Sequence, residues 1–142
     1  MSTPQPPNQT PGQASQHAGT PGQSKEAGVY LRTRVMTASP TELRLLLLDG
    51  AVKFAMQAKD GLGRKDFEAV FNGVTNCRNI VIELMTSVRE DVDPKLAEKV
   101  KALYAFIVTE LSSASMEKSV EKFGKVVELL KYERETWAML ME

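Results

Sequence analysis

Glu133 and Glu135, with Arg134 between them, come closest in this chain to a pair of catalytic carboxylates. A general acid and a general base must face one another across a substrate. Positions i and i+2 of a helix point roughly 200° apart, so this pair reads as solvated charge. The sole histidine, His17, sits among Gln, Ser and Gly, and the sole cysteine, Cys77, lies sixty residues later. His17 reads as solvated and inert. Within Val74-Thr75-Asn76-Cys77-Arg78, Cys77 falls on an inward helix face and reads as a small core hydrophobe rather than a nucleophile. A single cysteine admits no internal disulfide and suits a reducing compartment. No Glu-x-x-His pair offers a di-metal site, and no glycine-rich phosphate loop follows a strand. The expectation is no catalytic residue, no metal, no cofactor and no enzyme.

The elements that would have to position such groups are legible. Val35-Met36-Thr37-Ala38-Ser39-Pro40-Thr41-Glu42-Leu43 is a helix start: Ser39 caps, Pro40 takes the first helical position, and Glu42 can reach back to the Ser39 amide. The helix it opens is expected over about residues 40–59, ending near Gly61 and Gly63. A second is expected over 66–89, with Phe67, Val70, Val74, Cys77, Val81, Leu84, Met85 and Val88 inward. Asp93-Pro94 repeats the cap-then-proline device for a third helix burying Leu96, Val100, Leu103, Tyr104, Ile107 and Leu111. A fourth starts near Ser115 and carries Val120, Phe123, Val127, Leu130, Trp137 and Met141 inward. No stretch alternates with period two, so the fold class is all-α: an antiparallel up-and-down four-helix bundle with a short N-terminal helical cap over Val29–Val35. Residues 1–27 hold five of the seven prolines and no hydrophobic periodicity, and are expected to be a disordered Pro/Gln-rich tail ahead of a bundle domain at 28–142. The 142 residues carry 25% charged side chains and formal net charge zero, which gives no electrostatic reason to expect nucleic acid. The start lacks the apolar run of a secretory signal, and no later run has membrane-spanning length, so a cytoplasmic protein with no membrane insertion is expected.

The first long helix carries more apolar surface than one core face needs. Leu43, Leu46, Leu47, Gly50, Phe54 and Ala58 fall on one side, and Leu45, Leu48, Val52, Ala55 and Met56 nearly opposite. Ile80, Phe106, Val108, Val126, Leu129 and Leu140 lie outside the inner stripes of the other helices. A second stripe must be covered by another part of the chain, such as Tyr30, Leu31 and Val35, by a second copy, or by a foreign amphipathic helix. Leu45, Leu48, Val52, Met56, Phe106 and Val108 are the candidate partner contacts. Asp49, Arg134 and Glu135 are expected to serve as ion-pair or capping groups.

Tyr30, Val35-x-Thr37-Ala38-Ser39-Pro40-x-Glu42-Leu43 and Leu47-x-Asp49-Gly50-Ala51-x-x-Phe54 resemble the start of the FliS family of flagellar secretion chaperones. So do Ile80-Val81-Ile82-Glu83-Leu84, Leu103-Tyr104-x-Phe106-Ile107 and the ending Leu129-Leu130-x-x-x-Arg134-Glu135-Thr136-Trp137. The chain departs from the family at Leu48, where Tyr is frequent. The resemblance implies a small helical bundle in the bacterial cytoplasm that binds the C-terminal helical segment of flagellin. It further implies that the bundle keeps flagellin from polymerising early and aids its delivery to the flagellar export gate. It makes Tyr30, Leu31 and Val35 a movable cover over the binding surface. The expected state is a monomer or weak homodimer. The rival readings are a self-associating structural bundle and a regulatory adaptor for another motility protein.

Overall fold

The computed structural model describes residues 21–89 and 93–139 of the chain, except for the side chains of residues 21–27 and 30. Five helices follow in order: α1 (Pro21–Thr37), α2 (Pro40–Gly63), α3 (Phe67–Thr86), α4 (Pro94–Glu117) and α5 (Val120–Met139). Two compact units result, residues 1–38 and residues 39–142.

The first unit contributes α1. It starts at Pro21, not at Val29, and so takes in seven residues of the expected tail. Proline suits a first helical position, and Gln23 to Ala27 are mostly good helix formers, which accounts for the earlier start. Thr33 and Thr37 turn their hydroxyls back to the carbonyls of Val29 and Thr33, at 3.0 and 2.9 Å. Leu31 and Val35 are exposed. His17 and the rest of residues 1–20 lie outside the described residues, as does the side chain of Tyr30.

The second unit is the four-helix bundle. Each of its helices opens on a side-chain cap that accepts an otherwise unpaired N–H. Ser39 and Glu42 form the reciprocal box, with Glu42 N–H to Ser39 Oγ at 3.2 Å and Ser39 N–H to Glu42 Oε1 at 2.9 Å. Asp66 accepts from Ala69 N–H, and Asp93 from Leu96 N–H. Ser119 accepts from Lys122 N–H at 3.0 Å. The last of these corrects the expected start near Ser115. Helix α4 continues through Glu117, Lys118 turns left-handed at φ 52°, and Ser119 N–H closes back on the Ala114 carbonyl. A serine that sits in a sound helical turn gives no sign of where the next helix begins.

Helix α2 packs between α3 and α5, and α4 between the same two, which closes a ring. The fully buried positions include Leu48, Leu84, Tyr104, Ile107, Leu111, Phe123 and Leu130. The buried line of α2 runs Leu48, Ala51, Ala55, Ala58 and Gly61. Small residues here let α3 come close. A Cβ on Gly73 would stand 2.6 Å from the Phe54 carbonyl oxygen and 2.8 Å from the Ala58 nitrogen, so only glycine fits without backbone displacement. At Gly50 a Cβ would meet only the tip of Ile80, at 3.2 Å.

Candidate functional site

The six candidate contact residues separate once placed. Leu48 is completely buried in the core, which corrects its assignment to an outer stripe. The reason is the position of α2: with a neighbour on each side, its core arc is wide. That arc centres on the alanines rather than on the leucines with the largest apolar side chains. Leu45 and Val52 are half-buried, and Val52 packs against the core. Met56 is 41% exposed. Val52 and Met56 share the helical strip of Asp49 and Lys59. Both of those groups turn to α5: Asp49 Oδ1 receives Arg134 Nε at 2.9 Å, and Lys59 approaches Gly124. The Asp49–Arg134 pair, with Glu135 Oε2 at 3.9 Å from Arg134 Nη1, fills the expected ion-pairing role.

Phe106 lies on the other side of α5. It is 42% exposed, with Lys125 Nζ 5.5 Å from its ring centre. The same α4 strip bears Ser113 and Glu117, which bind Lys122 of α5. Those contacts hold the Glu117 carboxyl below its ordinary range, chiefly through the hydrogen bond from Lys122, and raise Lys122 in return. Val108 is two residues from Phe106, hence roughly 200° around α4, and is half-buried against the core. The six residues therefore form no single patch: Leu45, Val52 and Met56 border one flank of α5, Phe106 the other, and Val108 neither. Other expected outer positions are also absorbed. Val126 is fully buried, and Ile80 and Leu129 pack on the core. Conversely, Phe67, Leu96 and Val120, expected inward, are exposed at helix starts. Leu140 and Met141 lie outside the described residues.

At one end of the bundle the four helices part around an apolar cleft of about 400 Å³. Leu43 and Leu47 of α2, Val88 beyond α3, Leu96 and Val100 of α4, and Trp137 of α5 line it. Arg44 forms part of the wall, with its guanidinium 4.6 Å from the Trp137 ring centre. Behind it runs a directional chain of hydrogen bonds drawing on α2, α4, α5 and the C-cap of α3. Arg44 Nη2 donates to Ser87 Oγ at 2.9 Å, and Nη1 to the Tyr104 hydroxyl at 3.3 Å. That hydroxyl donates onward to Glu133 Oε2 at 3.1 Å, which also accepts Trp137 Nε1–H at 2.6 Å. Glu133 is 5% exposed, so its reading as solvated charge is corrected. Burial, reinforced by the Glu133 charge and opposed by Arg44, pushes the Tyr104 hydroxyl well above its ordinary value. A buried carboxylate is tolerable only with such donors. The signal for it lay in the spacing. Glu133 falls three residues after Leu130 and four before Trp137, on the α5 core stripe.

Cys77 is buried and its thiol is pushed up to about 12 by that burial, so it is a poor nucleophile. Among the described residues no cluster of three metal-ligating side chains occurs, and no helix is long and apolar enough to cross a membrane.

Residues 23–142 match the model of a protein family described as flagellar protein FliS. The chain is 24% identical over 113 residues to the flagellar secretion chaperone FliS of Bacillus subtilis, covering 80% of this chain and 84% of the relative. It is 25% identical over 108 residues to the flagellar secretion chaperone FliS of Campylobacter jejuni, covering 76% and 84%.

Proposed function

The chain belongs to the FliS family of flagellar proteins, and from that premise we propose that it is a non-enzymatic export chaperone for flagellin. Its client is the C-terminal helical segment of flagellin, held away from premature polymerisation and handed on to the flagellar export gate. A cytoplasmic location fits this role.

The observation that carries the reading is apolar surface left open by a bundle whose core is already filled. Met56 and Phe106 are exposed on the two flanks of α5, and the end cleft adds Leu43, Leu47, Leu96 and Val100. A segment that is unfolded alone and amphipathic when bound can wrap separate patches, because it orders as it docks. Dispersion of the contacts over both flanks therefore favours an extended client over a compact one. Burying a large apolar side chain is worth roughly 1.5–3 kcal/mol, so several such contacts offset the ordering cost. Leu31 and Val35 of α1, with Tyr30, are proposed as a cover that yields to the client.

The test is calorimetric titration of a flagellin C-terminal peptide into wild type and into the Met56→Asp/Phe106→Asp variant. Both side chains are exposed, so circular dichroism should be unchanged while affinity falls by about tenfold or more. Full affinity in a folded double variant would overturn the reading. Leu48→Asp serves as the contrasting control, expected to unfold the bundle outright.

A further inference from the structure

Arg44 is half-buried in the wall of a mostly apolar cleft, and its partners are unusual for a guanidinium. Two hydroxyls accept from it, one indole ring underlies it, and no carboxylate pairs with it directly among the described residues. Glu133 is reached only through the Tyr104 hydroxyl. Guanidinium carries five N–H donors, of which two are used here, and its planar fork suits a carboxylate. Stacking on Trp137 and the bond to Ser87 hold that fork in place before any ligand arrives, so little rotamer freedom remains to be lost on binding. The other charged groups on the cleft are Glu83, Arg89 and Asp93, and the Asp93 carboxylate is engaged by the Leu96 amide.

The size of the cleft narrows the ligand. About 400 Å³ is close to the volume of one helical turn with its side chains, and far short of a long helix laid lengthwise. The last turn of a helix brings what Arg44 lacks: unpaired carbonyls, the negative end of the macrodipole and, at a chain end, a carboxylate. Resting on the flagellin-chaperone reading above, we propose that this cleft receives the final apolar turn of the client, with the client's terminal carboxylate bound by Arg44. The flanks of α5 hold the client's length, and the cleft reads its end.

Trp137 is the sole tryptophan of the chain and lines the cleft, so its emission reports occupancy. The experiment titrates the full-length protein with a tryptophan-free flagellin C-terminal peptide made as free acid and as C-terminal amide. The acid should bind about tenfold tighter or better, and its binding should shift Trp137 emission. In Arg44→Gln, checked for folding by thermal melting, the acid and amide should bind alike. Equal affinities of the two peptides for wild type would overturn the carboxylate site while leaving the chaperone reading intact. Binding of neither peptide would overturn both. Should Arg44→Gln fail to fold, the acid-to-amide ratio on wild type still decides.

Discussion

The α2–α3 seam and the cleft end of the bundle solve the same packing problem in opposite ways. Along the seam, Ala55, Ala58 and Gly73 remove side-chain bulk until backbone approaches backbone, and Gln57 Nε2 donates to the Ala69 carbonyl at 3.2 Å beside them. At the cleft end, large residues from four helices part, and a buried carboxylate, a hydroxyl, an indole and a guanidinium fix their relative positions. The seam has one arrangement because sterics admit no other. The end has one because unpaired partners would be costly, yet it leaves room for a guest. Rigidity and receptivity thus sit in different parts of one small bundle.

The contrast can be broken most forcefully at the seam. Gly73→Val places carbon against the backbone of α2, and the gain in helix propensity cannot compensate. The expected loss is about 3 kcal/mol or more, seen as a lower urea midpoint. At the cleft end the effect should be smaller. Tyr104→Phe removes one of two donors to Glu133 and one of two acceptors of Arg44, with an expected loss of about 1–2 kcal/mol. The same variant has a pH signature. Because the Tyr104 hydroxyl is raised in the folded state, its contribution is fully present below its ordinary value of 10.0 and is lost as pH climbs beyond it. Denaturation midpoints measured above pH 10 should therefore fall less steeply for Tyr104→Phe than for wild type. The smallest effect is expected away from both regions. Asp49→Asn breaks an exposed ion pair with Arg134 and should shift stability by less than about 1 kcal/mol, fading as salt is added. A larger loss there would mean that α2 and α5 depend on charge as well as on packing.

How much could be read in advance differs by residue. Ser39, Pro40 and Glu42 announced their helix because a cap is a local arrangement completed within four residues. Asp93-Pro94 did so for the same reason. Ser119 was less visible, since a left-handed turn at Lys118 is needed before it can cap. The flanks of α2 were misjudged at Leu48 because the direction of a core is not contained in one helix's periodicity. Glu133 was misjudged because its two neighbouring charges, Arg134 and Glu135, outweighed its place on an apolar stripe. The cleft left no signal: its walls come from Leu43, Val88, Leu96 and Trp137, which adjoin only after four helices assemble.

By itself the order of residues determined the all-α class, the capped starts of two of the four bundle helices, the inward stripe of α3 from Val70 to Leu84, the structural fate of Cys77 and the family. Each depends on contacts within a few positions or on a pattern carried along one helix. Tertiary packing alone decided that Leu48 belongs to the core, that Phe106 and Met56 face different flanks, and that Arg44, Tyr104, Glu133 and Trp137 share one network. Burial and hydrogen-bond partnership depend on which helices become neighbours. That choice is made by the summed fit of all four faces, not by any one of them.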